Sequence, residues 1–242
     1  MIGARHYRIA LPVGHDGTDD VGAVVWAHGY RGTAAGVMQN NSLRRMVSGA
    51  GLALIAVKSG DGGWDIPGAP RGMHSSGASE FAYFEAVLDD AANRHGIDRS
   101  RVIAAGFSAG GMMVWNLACA RPDLFAGFVP IAGTFWQAPP HTCAAPTASI
   151  VHIHGNADGT VPLEGRAIGP TRQGDVSAAL AMYSAFGGFG PATARRNDDL
   201  TCENKVNPGG AILEFCLFPG GHSFRTEYLR YGLDRLRAAG RL

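Results

Sequence analysis

The sequence lacks the features that mark membrane-spanning and nucleic-acid-binding proteins. Its 242 residues contain no apolar run that approaches the roughly 18 to 20 residues a transmembrane helix needs. The formal net charge is only +1, from 21 Lys and Arg against 20 Asp and Glu, so there is no basic excess to follow a phosphate backbone. We therefore expect neither a membrane nor a nucleic acid among the partners of this protein.

Two shorter signals are also missing. Residues 1–6 contain no apolar signal core, which leaves a cytoplasmic protein or a mature chain whose leader has been removed.

The four cysteines form no CxxC pair, which argues against a zinc knuckle or a thioredoxin-like motif. Cys119 and Cys143, like Cys202 and Cys216, lie close in sequence and are compatible with two disulfides in an oxidising compartment. Four cysteines allow three pairings, however, and four buried thiols are the alternative.

The remaining composition predicts one α/β domain over residues 1–242. Hydrophobic residues make up 46% and charged residues 17%, which is enough for a large core. Strand-like and helix-like segments alternate, which predicts a mostly parallel central sheet with helices on both faces. Strands are predicted at 7–12, 22–28, 52–57, 101–106, 128–131, 149–154 and 211–218, and helices at 36–51, 79–95, 109–120, 176–186 and 224–238. Residues 59–76 form a long Gly- and Pro-rich loop of the kind that often carries function.

Residues 106–110, Gly-Phe-Ser-Ala-Gly, match the G-x-S-x-G pattern of a nucleophile elbow. In this pattern the serine occupies a strained turn between a strand and a helix, and flanking glycines let the backbone pack closely. An apolar strand precedes the motif and a helix-prone segment follows it, as the pattern requires. Ser108 is therefore the candidate nucleophile, and an ordinary glycine-rich turn is the alternative.

A serine hydroxyl is a weak nucleophile and needs a base that a carboxylate orients. In α/β-hydrolases the carboxylate follows the serine in the chain, and a histidine comes last. Asp158 lies just past the predicted strand 149–154, at the sheet edge where the elbow also opens, and is the candidate carboxylate. Asp175 and residues 198–199 are weaker candidates because no buried strand leads to them, and a structural turn aspartate is the alternative role for Asp158.

His222 is the candidate base because it is the only histidine after Asp158 and follows the predicted strand 211–218. An exposed loop histidine is the alternative. The early segment 28–30, His-Gly-Tyr, ends a predicted strand, and we assign the oxyanion-binding amides to the N–H groups of Tyr30 and Ala109.

Other histidines raise the question of a metal. His152 and His154 alternate onto one face of a predicted strand, and with His28 and His222 they suggest a zinc cluster. No carboxylate or cysteine completes a recognisable ligand spacing nearby, however. We expect buried, hydrogen-bonded histidines beneath the active-site edge, a bracing role for His28 in its loop, and neither a metal nor a cofactor.

Several segments, taken in order, resemble one family. They are residues 28–30, 106–111, 121–127, 131–134, 154–158, 161–162 and 219–222. Over nearly its whole length the chain resembles the polyhydroxybutyrate depolymerase-like esterases, a group that includes feruloyl esterases. The resemblance implies an α/β-hydrolase fold, hydrolysis of carboxylic esters through an acyl-enzyme, no cofactor, and often export with disulfides. It also implies a Ser108, Asp158 and His222 triad, and a Cys202–Cys216 bridge near the histidine.

The expected substrate follows from the same resemblance and from what the chain lacks. We expect neither an appended substrate-binding domain nor a large lid domain, which suits soluble esters or short oligomers better than a crystalline polymer. Trp64 and Trp136 lie in irregular segments and are candidates to line the substrate pocket, with simple packing as the alternative. A secreted or periplasmic location is expected, with a cytoplasmic one as the alternative. A serine peptidase, an acyltransferase and a non-catalytic binding module of the same fold are the competing functions.

Overall fold

The computed structural model describes residues 2–3, 5–17 and 19–242, and a nine-stranded sheet runs through its middle. In spatial order the strands are β1 (Tyr7–Ala10), β3 (Ala53–Val57), β2 (Val21–Ala27), β4 (Ile97–Phe107), β5 (Gly127–Ile131), β6 (Ile150–Gly155), β11 (Ile212–Phe218), β10 (Leu200–Val206) and β9 (Thr193–Asn197). The six strands from β3 to β11 pair in parallel, and β1, β10 and β9 are antiparallel additions at the edges. The predicted mostly parallel sheet is thereby confirmed.

Helices cover both faces of this sheet. On one face are α3 (Ala78–His95), α4 (Ala109–Ala120) and α5 (Val176–Phe186), and on the other are α1 (Ala34–Gln39), α2 (Asn41–Gly49) and α6 (Thr226–Ala238). Every residue of β2 and β3 is buried, because strands covered on both faces need apolar side chains at successive positions. The first face packs around Trp115 and Tyr183 and the second around Leu43 and Leu229, all of them fully buried.

Two local expectations were wrong. Residues 36–51 were expected to form one helix, but the chain breaks at Asn40, whose side-chain oxygen accepts the Leu43 N–H at 3.0 Å and so begins α2. The strands β9 and β10 were not expected at all. All five residues of β9 are exposed, so this edge strand has no apolar periodicity to reveal it.

Two disulfides are present. Cys119 and Cys143, 24 residues apart, join the end of α4 to the segment after β5. Cys202 and Cys216 face each other across the β10–β11 pair. These are the two pairs that lie close in sequence, and the second is also the pair that the resemblance implies. None of the described helices is long and apolar enough to cross a membrane.

The carboxyl ends of the parallel strands place four loops at one edge of the sheet. The loops that follow β2, β4, β6 and β11 all open there, since parallel strands end at a common edge. The chain after β6 carries only a small hairpin of β7 (Ala167–Ile168) and β8 (Thr171–Arg172) above this edge. Tyr30, Ser108, Asp158 and His222, which were singled out in the sequence, follow these four strands in that order.

Candidate active site

Ser108 lies at the sharp turn between β4 and α4. Its φ of 58° and ψ of −122° place it in a backbone conformation that L residues rarely adopt. The Ser108 N–H donates to the Ile131 carbonyl at 2.9 Å, which fixes the turn to β5. The strain is thus held by the surrounding sheet, and it lifts the hydroxyl above the edge.

The glycines around Ser108 are required by close backbone contacts. A Cβ on Gly106 would lie 2.6 Å from the carbonyl oxygen of Gly110, and a Cβ on Gly110 would overlap the carbonyl oxygen of Ala27. Both approaches are closer than a real Cβ tolerates. The packing reason for glycine at both flanks of the motif therefore holds in the structure.

His222 stands between the serine and an aspartate. Its Nε2 lies 2.9 Å from Ser108 Oγ, and its Nδ1 lies 2.7 Å from Asp158 Oδ2. The imidazole also packs on the Phe107 ring, with centroids 4.7 Å apart. The structure therefore brings together the three side chains that the sequence singled out, in hydrogen-bonding order. The weaker candidate Asp175 instead caps α5 by accepting the Ala178 N–H.

Asp158 is surrounded by hydrogen-bond donors. Its Oδ1 accepts the backbone N–H groups of Thr160 and Val161, both at 2.8 Å, and its Oδ2 faces His222. Burial alone would raise the pKa of this carboxyl. The donors from His154, Val161, His222 and Thr160 outweigh burial and hold the pKa of Asp158 well below its usual value. Asp158 therefore stays a carboxylate at neutral pH, and its Oδ2 orients the imidazole.

A buried series of hydrogen-bonded side chains, Trp115, His152 and His154, leads to Asp158. The Trp115 indole N–H, which can only donate, lies 2.7 Å from His152 Nδ1. His152 must therefore donate from Nε2 to His154 Nδ1, at 2.9 Å. The remaining proton of His154 is then on Nε2, which lies 2.8 Å from the Val161 carbonyl oxygen and 3.4 Å from Asp158 Oδ2. The direction of the chain is set by the indole.

His152 and His154 are both fully buried, as the sequence predicted. Burial, followed by the neighbouring His154 ring, holds the pKa of His152 well below its usual value. In the described ranges, Cys202, Glu214 and Cys216 are the only three potential metal ligands that cluster, and their two sulfurs are joined in a disulfide. The histidines thus serve as hydrogen-bonding groups.

The loop after β2 passes directly over the elbow. A Cβ on Gly29 would lie 3.4 Å from the Phe107 carbonyl oxygen and 3.5 Å from the Ser108 Cβ, so the backbone comes close to the serine. Tyr30 follows in this loop and borders the same space as Ser108. Ala109 is the first residue of α4, and its N–H has no acceptor within the helix. The two predicted oxyanion residues therefore line the same cavity as Ser108.

His28 braces this loop. Its Nδ1 donates to the Gly29 carbonyl oxygen at 2.8 Å, and its Nε2 accepts the Ser59 N–H at 3.3 Å. The Trp64 indole donates to the His28 carbonyl oxygen at 2.8 Å. Burial lowers the pKa of His28, which favours the neutral ring that this pattern requires.

A cavity of about 410 Å³ opens beside Ser108. Its walls are mostly apolar and include Trp64, Ile66, Ala69, Met112, Trp136 and Ile168. Both tryptophans predicted as pocket residues line it, and the Trp136 indole N–H is 3.1 Å from the Met112 sulfur. The predicted functional loop 59–76 supplies a large part of the wall. The volume suits a small-molecule ligand.

Sequence reasoning missed the charged residues of the cavity. Arg31, Arg71 and Arg166 line it, whereas no Asp or Glu among the described residues does. Arg31 directly follows an assigned oxyanion residue and Arg71 lies in the predicted functional loop, so position alone was a usable signal for both. No signal pointed to Arg166, because its place depends on how the chain folds back after β6.

Comparison with known proteins agrees with this geometry. A family model described as Phospholipase/Carboxylesterase matches residues 75–168, a range that contains Ser108 and Asp158. The acetyl xylan esterase structure from Aspergillus awamori superposes with a TM-score of 0.67, covering 98% of this chain and 94% of that one at 17% identity. The chain therefore has the α/β-hydrolase fold.

Two relatives with similar sequences carry the names of ester-cleaving enzymes. NocK of Nocardia uniformis subsp. tsuyamanensis, which is named as a candidate esterase, is 26% identical over 219 residues, or 81% of this chain. Poly(3-hydroxyalkanoate) depolymerase C of Paucimonas lemoignei is 38% identical over 116 residues, or 48% of this chain. The chain spans less than two thirds of these relatives, 63% of NocK and 24% of the depolymerase.

Proposed function

We propose that this protein is a serine carboxylesterase that hydrolyses small carboxylic esters through an acyl-enzyme. The observation that carries the proposal is the continuous hydrogen-bonded series from Ser108 Oγ through His222 to Asp158, at 2.9 and 2.7 Å. These distances lie within the reach that nucleophile and base need before a proton can transfer.

The proposed reaction has two half-reactions. Ser108 Oγ attacks the ester carbonyl while His222 Nε2 takes its proton, and the imidazolium then gives that proton to the departing alcohol. Water enters in place of the alcohol and attacks the acyl carbonyl while His222 takes its proton. The imidazolium then returns that proton to Ser108 Oγ as the acid leaves. Asp158 keeps Nδ1 protonated and stabilises the imidazolium. The N–H groups of Tyr30 and Ala109 bind the oxyanion of each tetrahedral intermediate, and losing one such donor typically costs about 2.7–4 kcal/mol of barrier.

The cavity and the relatives support the substrate class. A space of about 410 Å³ with apolar walls fits a hydroxyalkanoate-type or aryl ester, such as a feruloyl ester, or a short oligomer. One matched relative is named as a hydroxyalkanoate depolymerase, but only 24% of its length is spanned. We therefore propose soluble esters and short oligomers as substrates. The two disulfides support a secreted or periplasmic location, because disulfides persist in oxidising compartments.

The proposal is tested by following 4-nitrophenyl esters of two- to eight-carbon acids with the wild type and Ser108→Ala. We expect turnover by the wild type and a fall of at least about 10³-fold in kcat for the variant, at an unchanged melting temperature. Peptide substrates and added alcohols in the same assay separate an esterase from a peptidase or an acyltransferase. A folded wild type with no turnover of any ester would contradict the proposal and favour a binding module.

A further inference from the structure

We propose that the substrate of this esterase carries an anionic group, a carboxylate on its acyl or alcohol part, which the arginines at the cavity mouth recognise. This inference rests on the proposed ester hydrolysis and specifies its substrate class. The charged side chains that line the cavity beside Ser108 are Arg31, Arg71 and Arg166, with no lining acid in the part of the chain that the structure describes.

Among the described residues, no acid forms an ion pair with Arg31, Arg71 or Arg166. Asp61, next to the lining residue Gly62, pairs with Lys58 at 3.2 Å. Asp158 is buried beneath His222 and is already surrounded by donors. Arg166 is held at its place by the Gln173 side chain, 3.2 Å from its Nε, and Arg71 donates to the Gly62 carbonyl. The mouth therefore presents positive charge around an apolar interior, which matches an apolar ester with an anionic end.

The backbone of Arg31 gives a second, independent reason. Its φ is 59°, in the left-handed region that glycine adopts freely and a residue with a Cβ does not. Glycine would be the relaxed choice in this loop, between Tyr30 and Gly32. A long cationic side chain kept at a strained position beside the oxyanion loop points to a functional need. The guanidinium lies 5.1 Å from the Tyr30 ring centroid, so it stays at the mouth of the cavity.

The test compares matched neutral and anionic esters. The 4-nitrophenyl monoester of adipic acid against 4-nitrophenyl hexanoate probes the acyl part, and 4-carboxyphenyl acetate against phenyl acetate probes the alcohol part. We expect the wild type to favour the anionic member of one pair by about 5-fold or more in kcat/KM, and the preference to shrink in 0.5 M salt. Arg31→Gly, Arg71→Met and Arg166→Met should each reduce it about 2- to 5-fold.

Two controls keep the test sharp. Arg44→Met, on α2 and away from the cavity, should leave the preference unchanged. Arg31→Gly should not lower the melting temperature, because it relieves a left-handed residue. Hydrolysis of the neutral esters without any preference in either pair, or a preference that none of the three variants changes, would overturn this inference alone. No Ser108-dependent hydrolysis of any ester would overturn the proposed function as well.

The buried chain beneath the aspartate carries a second inference. We infer that His154 is a positioning residue, which acts on the reaction through Asp158 rather than by touching the substrate. Its Nε2–H is shared between the Val161 carbonyl oxygen at 2.8 Å and Asp158 Oδ2 at 3.4 Å, on the same oxygen that faces His222. A hydrogen bond from His154 draws electron density from Asp158 Oδ2, so that this oxygen becomes a weaker acceptor for the His222 N–H.

The surroundings of this oxygen leave few other charges to act on it. The titratable groups that face Asp158 are His154 from β6 and His222 from the loop after β11. His152 faces His154 in turn, with Trp115 fixing its direction. His154 therefore tunes how strongly Asp158 stabilises the imidazolium that forms during catalysis.

The pH profile of kcat/KM distinguishes this role from simple packing. His154→Phe removes the donor, so Asp158 should hold the imidazolium more tightly, and the acidic limb of the profile should move up by about half a pH unit. His154→Gln keeps an N–H near the same place and should restore the wild-type limb. A uniform loss of activity with an unmoved limb in folded His154→Phe, or equal limbs in both variants but displaced from the wild type, would contradict the inference.

Discussion

Replacing Asp158 by Asn should leave the fold intact and move the proton of the His222 ring from Nδ1 to Nε2. The Thr160 and Val161 N–H groups both donate to Oδ1 at 2.8 Å, so the amide oxygen of the variant must take that place. The amide NH₂ then occupies the Oδ2 position, 2.7 Å from His222 Nδ1, and donates to it. Nδ1 becomes the acceptor and the proton moves to Nε2, which can no longer receive the proton of Ser108.

The expected loss of kcat is large because the His222 ring stays in place but can no longer accept the proton of Ser108. A wrong tautomer of this kind costs about 10⁴-fold in a serine protease, so we expect kcat to fall about 10³- to 10⁴-fold. This corresponds to about 4 to 5.5 kcal/mol of barrier. The assay is steady-state hydrolysis of 4-nitrophenyl butyrate, with circular dichroism to verify the fold.

Asp175→Asn is the matched control. Asp175 caps α5 through its side chain, and Asn caps a helix as well as Asp does. The kcat of the Asp175→Asn variant should therefore equal that of the wild type. A folded Asp158→Asn enzyme within 10-fold of the wild type, or a large loss in Asp175→Asn instead, would refute the assignment of the carboxylate.

Three further predictions concern stability. Gly110→Ala should lower the free energy of unfolding in urea by at least about 3 kcal/mol, because its Cβ overlaps the Ala27 carbonyl, whereas Gly159→Ala, with open space around it, should be neutral. Burial lowers the pKa of His28 and His152, so below about pH 6.5 the unfolded chain binds more protons than the folded one. Stability should therefore fall from pH 7 to 5, by up to about 1.4 kcal/mol per pH unit for each histidine, and a flat profile would contradict their neutral burial. Changing both cysteines of the 24-residue Cys119–Cys143 link to Ala should cost about 3 kcal/mol, and denaturation curves equal to the wild type would contradict this.

The central sheet was predictable because its signals are local. The strands β2, β3 and β6 are short apolar runs, and the elbow is a five-residue motif with the strand and helix it needs. In α/β-hydrolases the histidine follows the aspartate in the chain, and His222 is the only histidine after Asp158. The single-domain prediction stays a prediction.

Other features either have no apolar periodicity to reveal them or depend on contacts between distant elements. The exposed strand β9 is held only by pairing with β10, and the break at Asn40 depends on one side-chain cap that the helical periodicity hides. The Trp115 indole meets His152 from a different element, 37 residues away in sequence, and no spacing rule connects them. The position of Arg166 over the cavity likewise follows from the chain's return after β6.

Labelling by a fluorophosphonate tests the central claim most directly, because the reagent reacts with a serine that a histidine has activated. Intact-mass analysis and peptide mapping should show one adduct, on Ser108, in the wild type and none in Ser108→Ala. In His222→Ala the labelling rate should drop at least about 100-fold. A folded wild type that takes up no label, or takes it up at another serine, would contradict the account.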